Sequence, residues 1–300
     1  MLNIIANNKI ITHAVAASDK VSLEEAFEKI RRHPSLILPL SETLELAQEL
    51  WSIPVGRFLI ENRGLNGYWT SNLILQIQDS FDQHPLENWI RQKAPIVKAT
   101  RERFRFFILE LEKRLKEGIT LASIPCGLMS GIFEAQKRKG MDISNVGIDL
   151  DEEVMEVTRQ NSQSIIPTNK LNFIKRDAWD LDINDQYDIL ISNGLNIYER
   201  DHDKVKHLYS NFYKAMKKGG VMITSFLTPP PPHMDCVFCN YDKSDLRFQE
   251  VIFNNIFDVK WKAFMSEAEM RDLLEDIGFE VIDVIYDSQR MFPTITAKKP

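Results

Sequence analysis

Three kinds of feature are missing from this 300-residue chain, and each absence removes a class of protein. It has only three cysteines, an odd number that cannot pair off, and a chain of this length buries a core without disulfide staples. A reducing, cytoplasmic setting is the expectation. No stretch approaches the ~18 consecutive apolar residues of a membrane helix. The first eighteen residues, MLNIIANNKIITHAVAAS, scatter Asn and His through an apolar stretch and make a poor signal peptide. Nor is there an excess of positive charge. Thirty-seven basic residues face forty-three acidic ones, a net charge of −6, which argues against a nucleic-acid coat or an anionic-membrane binder. Internal repeats are absent, and low complexity is confined to Pro229–Pro232. What remains, 44% hydrophobic and 27% charged residues, is ordinary for a globular protein of one large domain or two modest ones.

Periodicity divides the chain. Up to about residue 117 the pattern is helical. Leu23, Ala26, Phe27 and Ile30 share one face, with Ser22 and Glu25 as a capping box. A second helix begins at Ser41, a third spans Val55–Asn62, and Gly64-Leu65-Asn66-Gly67 is a turn before Tyr68-Trp69-Thr70. A long helix starts at Pro95, with Val97, Arg101, Phe104, Ile108, Leu111 and Leu115 on one stripe, and stops at Gly118. Beyond it, short apolar runs alternate with helices. Ile119–Ile124, Val146–Leu150, Leu171–Lys175, Tyr187–Ser192 and Val221–Leu227 read as strands. This predicts an α/β fold with a parallel sheet and crossovers on both faces. The helix Ser266–Ile277 and the strands Phe279–Tyr286 and Phe292–Ala297 then predict an antiparallel hairpin at one edge.

In an open α/β sheet the ligand sits at the carboxyl ends of the strands. Here those ends carry Pro125-Cys126-Gly127, then Asp149 with Leu150, then Asp177-Ala178, then Asn193-Gly194. A carboxylate closing the second strand can accept both hydroxyl protons of a ribose. Gly127 lets backbone approach a ligand, with helix N–H groups behind it. Asp177 is placed to accept from an exocyclic adenine amine. Each residue alone is equally well a turn residue; the order together describes an adenosine pocket.

On these residues, with Lys217-Lys218-Gly219-Gly220 before the fifth strand and Ile277-Gly278-Phe279 before the sixth, the region from about residue 95 to 300 resembles the class I S-adenosylmethionine-dependent methyltransferases. The resemblance implies a seven-stranded, mostly parallel sheet with a C-terminal antiparallel hairpin and helices on both faces. Residues 1–94 would add an α-helical N-terminal cap, and 228–265 an insertion over the substrate side. It implies S-adenosylmethionine as cofactor, with Asp149 and Leu150 at the ribose, Asp177 and Ala178 at the adenine, and Pro125, Cys126, Gly127, Asn193 and Gly194 along the remainder. The first motif departs from the family: Ser123 replaces its acidic residue, Pro125 its first glycine and Met129 its third. Arg101 could meet the methionine carboxylate or snorkel to solvent. Tyr68 could lid the same cleft, the alternative being packing between helices.

The expected reaction is methyl transfer to oxygen or nitrogen of a small or medium organic acceptor. Tyr198 and His202, after the fourth strand, are candidates for moving a proton. A capped pocket and an acidic chain suit a small molecule better than nucleic acid, and the N-terminal helices offer a surface for a homodimer. His233, Cys236 and Cys239 have metal-like spacing but no evident fourth ligand, so no metal site is expected. The competing readings are a non-catalytic protein binding the cofactor or its product, an NAD-linked oxidoreductase, and an RNA methyltransferase. The first turn lacks the three-glycine spacing that a dinucleotide needs.

Overall fold

The computed structural model describes residues 20–65, 67–75, 84–163, 165–167, 170–229, 242–260 and 262–300. Seven strands form one sheet: β1 (Thr120–Ser123), β2 (Ser144–Asp149), β3 (Leu171–Lys175), β4 (Tyr187–Ser192), β5 (Met216–Ser225), β6 (Glu280–Ile285) and β7 (Thr294–Lys298). Their order is β3-β2-β1-β4-β5-β7-β6. β1 to β5 run parallel, and β7 inserts antiparallel between β5 and β6. Strand order reverses between β1 and β4, the position at which an open sheet parts its loops to admit a ligand.

Strand alternation distributes the core. Leu121, Ile189 and Ile223 face α6 (Pro95–Glu112), α7 (Ser130–Lys139) and α8 (Glu152–Ser162), packing with Ile108, Phe133 and Val154. Their neighbours Ala122, Leu190 and Met222 face α9 (His202–Ala215) and α11 (Glu267–Ile277), packing with Phe212 and Leu274. The helices start where their sequences say they should. Asp151 and Asp201 accept from the first free N–H groups of α8 and α9, and Ser266 with Glu269 forms a complete capping box on α11. Ser266→Ala is expected to cost about 1 kcal/mol. Thermal denaturation should show it as a fall of roughly 2–4 °C.

A third core lies outside the sheet. It joins α1 (Leu23–Arg31), α2 (Leu40–Ser52), α3 (Pro54–Asn62), α4 (Gly67–Leu75) and α5 (Pro85–Gln92) to α10 (Lys243–Glu250) and to a π-helical turn, Val251–Ile256. Ala26, Ile30, Leu50, Leu59 and Ile90 pack here with Val251, Ile252 and Phe257. Polar ties reinforce the join. The Ile37 N–H donates to Asn255 Oδ1 (3.1 Å), Trp89 Nε1 to Asp245 Oδ1 (2.8 Å), and the Ile96 N–H to Gln249 Oε1 (2.6 Å). Arg63 pairs with Asp258. Ile197 after β4, Leu227 after β5 and Phe292 before β7 also belong to this core. The helical layer therefore rests on the carboxyl ends of β4 and β5.

Two local expectations need correction. The strand expected from Val221 begins at Met216, and Gly219 (φ 79°) sits inside it rather than ending a helix. A register shift between Tyr187 and Ile189 accommodates the extra residues. The long helix ends at Glu112, short of Gly118, and Leu115 is buried in the chain that follows. The 228–265 insertion holds α10 and the π-helical turn. No helix among the described residues is long and apolar enough to cross a membrane.

Candidate active site

The turn after β1 is built to stay open. Pro125 follows a cis peptide bond, Gly127 has φ 47°, and Met129 has φ 49° with its side chain in the core beside Phe133. A Cβ at Gly127 would meet nothing within 4 Å, so the turn faces open space. The left-handed conformation makes glycine the natural occupant. Thr158 Oγ1 donates to the Gly127 carbonyl at 2.8 Å, fixing the turn from α8.

Asp149 closes β2 directly beside this turn and is 5% exposed. Its Oδ2 accepts from the Gly127 N–H at 3.2 Å, and its Oδ1 from the N–H groups of Leu150 (2.9 Å) and Asp151 (3.2 Å). A carboxylate has about four acceptor sites. A ribose diol would take the free one and compete with Gly127 for another. The Cys126 thiol is held above its ordinary pKa by burial first and by the neighbouring Asp149 carboxylate second. It stays protonated at neutral pH and is no nucleophile.

The other strand ends lie along the same edge of the sheet. Leu150 is 59% exposed and presents an apolar side chain next to the β2 carboxylate. Asp177 accepts from the Trp179 N–H at 3.0 Å and caps the 3₁₀ turn Ala178–Asp180, whose Ala178 is buried. Asn193 is exposed at the end of β4, and Gly194 follows with φ 91°. These residues fit an adenosine group: an open glycine turn, a carboxylate beside it, an apolar side chain, and a second carboxylate one strand further. The methionine half fits less fully. Ser123 is buried and donates to the Pro125 carbonyl at 3.4 Å, so no carboxylate stands at the end of β1.

The structure places the remaining expected residues as follows. Arg101 leans on α4, its Nε donating to the Leu73 carbonyl at 3.0 Å. The Tyr68 side chain lies outside the described residues, as do His233, Cys236 and Cys239. Trp69 packs on Phe58 with ring centroids 6.0 Å apart, which is helix-to-helix packing. Tyr198 keeps 49% of its surface exposed while its hydroxyl lies close enough to Arg103 to feel that charge. Burial pushes its phenol up to about 12, with Arg103 opposing, so at neutral pH it is a hydrogen-bond donor and not a ready base. His202 is exposed in the first turn of α9. No group of three His, Cys, Asp or Glu among the described residues could hold a metal. A polar hollow beside Asp177, lined by Arg176, Asp180, His207 and Lys214, opens toward α9 rather than over the Gly127 turn.

Arg103 is the residue that the periodicity missed. It is 6% exposed, and its Nη1 lies 3.4 Å from Ser225 Oγ, which in turn donates to Asn193 Oδ1 at 3.4 Å. The guanidinium carbon stands 4.5 Å from the centre of the Phe292 ring.

Comparison with known proteins agrees with this geometry. A model of a methyltransferase domain (UPF0020, RMKL-like) matches residues 94–234. The crystal structure of a possible exported protein from Bordetella parapertussis is 33% identical, covering 96% of this chain and 100% of that one, with a TM-score of 0.85. The Probable cobalt-precorrin-6B C(15)-methyltransferase (decarboxylating) of Saccharolobus solfataricus is 28% identical over 126 residues, 41% of this chain and 60% of its own. The Ribosomal protein L11 methyltransferase of Dictyoglomus turgidum is 27% identical over 141 residues, 47% of this chain and 43% of its own. The chain thus spans about half the length of these two methyltransferases. With its sheet order, its antiparallel β7, the carboxylate ending β2 and the one following β3, the chain has the class I S-adenosylmethionine-dependent methyltransferase fold, and residues 94–234 match a methyltransferase domain.

Proposed function

We propose that the protein transfers a methyl group from S-adenosylmethionine to oxygen or nitrogen of a small or medium organic acceptor. The observation that carries the acceptor size is the covering of β4 and β5. Ile197 and Leu227, just past the carboxyl ends of these strands, and Phe292, before the amino end of the antiparallel neighbour β7, are buried in the helical core formed with α1–α5 and the π-helical turn. A duplex or a folded protein needs an open face, whereas an enclosed site favours a molecule it can surround. The relatives named above act on both kinds of acceptor, so the enclosure carries the choice.

The cofactor supplies a methyl group on a sulfonium, ready for in-line displacement. The residues of this chain bind and orient. Asp149 and the Gly127 turn would hold the nucleoside, Asp177 and Ala178 would border its base, and Asn193 marks the junction between the cofactor and acceptor halves. Water exclusion falls to the helical layer, which strengthens every polar interaction beneath it. Tyr198, kept as a phenol, would donate to the acceptor rather than deprotonate it.

Two measurements test this reading. Titration calorimetry should show heat with S-adenosylmethionine and S-adenosylhomocysteine and none with NAD. Methyl-labelled cofactor should then label the small-molecule fraction of a cell extract. Label confined to RNA or protein would overturn the acceptor class, and silence with both sulfur ligands would overturn the methyl-transfer reading.

A further inference from the structure

Arg103 is buried without a matching carboxylate among the described residues. Its side chain is buried and remains a cation at neutral pH, since burial lowers its pKa only to about 10. Among the described residues no carboxylate lies within ion-pair distance of it. Asp287 is the carboxylate whose charge reaches it, yet its oxygens already accept from the N–H groups of Gln289 (2.9 Å), Met291 (3.2 Å) and Phe292 (2.6 Å). Glu102, next in sequence, is held by Ser288 through its backbone N–H (2.6 Å) and its hydroxyl (2.5 Å). Tyr198 contributes a phenol that stays neutral. The Arg103 Nε has no hydrogen-bond partner, and Nη1 has only the long contact to Ser225. A buried charge left unpaired is costly, and proteins seldom keep one without a use.

Its position names the use. Ser225 is the last residue of β5, and Phe292 lies two residues before β7. β5 lies two strands from β1 in the sheet, roughly 10 Å at the usual strand spacing. The guanidinium is therefore on the acceptor side of the switch point, away from the Gly127 turn, and beneath the helical layer. Phe292 lies over one face of the guanidinium, whose paired N–H groups match the two oxygens of a planar anion. One buried positive charge balances one negative charge. That favours a carboxylate over a phosphate dianion.

The geometry points to Arg103, with Ser225 and Asn193, as a carboxylate-binding subsite, so that the methyl acceptor is an organic acid anchored away from its reacting atom. This deepens the proposed function and rests on it for the word acceptor. The anchored carboxylate is not the nucleophile, because a charge-assisted pair with guanidinium withdraws its electron density. A separate hydroxyl or amine on the same molecule would present itself toward Asn193.

The test uses the full chain and simple probes. S-adenosylhomocysteine is titrated first, into wild type, Arg103→Met and Arg103→Lys. Benzoate, phenylacetate and hexanoate follow, beside benzamide, hexanamide and phenyl phosphate, on the complexes. The expected result is low-millimolar binding of the carboxylates to wild type, the scale set by fragments of this size. The amides should bind at least about tenfold more weakly, as should carboxylates to Arg103→Met. Arg103→Lys should fall between, keeping the charge without the fork. Melting of ligand-free Arg103→Met should be unchanged or raised, since apolar replacement of a buried unpaired charge relieves desolvation. The inference is overturned if amides match the carboxylates, if phenyl phosphate binds best, or if Arg103→Met keeps carboxylate binding while melting lower. Loss of S-adenosylhomocysteine affinity in Arg103→Met would also overturn it, assigning the residue to the cofactor. Failure of S-adenosylhomocysteine to bind wild type would sink the methyl-transfer reading separately, and the carboxylate series still decides the subsite.

Discussion

Asp149→Asn is expected to weaken S-adenosylhomocysteine binding by about 10- to 100-fold, the worth of a charged hydrogen bond of roughly 1.5–3 kcal/mol. The substitution is chosen over alanine because Asp149 also organises its own turn. Its Oδ1 accepts from the Leu150 and Asp151 N–H groups, and an amide oxygen can keep both bonds. The Oδ2 contact to the Gly127 N–H at 3.2 Å is the one that an amide NH₂ cannot replace. The fold should therefore survive with a small fall in melting temperature, while the ribose loses its ionised acceptor. Calorimetric titration beside thermal denaturation separates the two effects. An unchanged dissociation constant in a folded variant would place the nucleoside elsewhere than at the end of β2.

The second large effect belongs to the helical layer. A Cβ at Gly56 would lie 2.2 Å from the Leu50 carbonyl oxygen and 2.9 Å from Ile53 Cγ1. The first of these is backbone of the preceding helix and cannot rotate away. Gly56→Ala is expected to push α2 from α3 at a cost of about 3 kcal/mol, the upper end of ordinary overpacking. Scanning calorimetry should record a fall of roughly 6–12 °C in the corresponding transition. S-adenosylhomocysteine binding should persist, because the Gly127 turn and Asp149 take their support from α8 and the sheet. A melting temperature within about 2 °C of wild type would show that the α2–α3 junction yields more readily than its packing implies.

How much of this could be read from residues alone follows from how each element is buried. The sheet was legible because strands buried on both faces are short apolar runs, each ended by a polar or glycine residue: Asp149, Asp177, Asn193 and Gly194. The hairpin was legible from the helix Glu267–Ile277 and the two apolar runs after it. α6 misled for a physical reason. It packs on α7 and the sheet along one side and on α4, α5 and α10 along the other, so its buried residues wrap most of the way round. A single stripe through Val97, Arg101, Phe104 and Ile108 then picks one arginine, while Arg103 is the one buried against β5. Nothing in a 3.6-residue period separates two arginines on a helix with two apolar faces. α5 was missed although Leu86, Trp89 and Ile90 carry the helical spacing behind His84-Pro85, because eight residues make a short signal. The start of β5 at Met216 was hidden by Gly219 and Gly220, which ordinarily end elements.

The join between the N-terminal helices and the π-helical turn also sets a schedule for synthesis. Ile30, Leu50 and Leu59 leave the ribosome early, yet their partners Val251, Ile252 and Phe257 follow only after the whole of β1 to β5. Roughly 200 residues separate the two halves, which at 5–20 residues per second is about 10–40 s of waiting. Throughout that interval the first helices can pack on one another and on α6, but the face that meets Val251, Ile252 and Phe257 stays open. A nascent chain stalled before residue 251 would hold the five parallel strands, still without β6 and β7, beside helices whose shared apolar face is incomplete. This makes the early helices the natural client of a holding chaperone and the last part of the molecule to become resistant to protease.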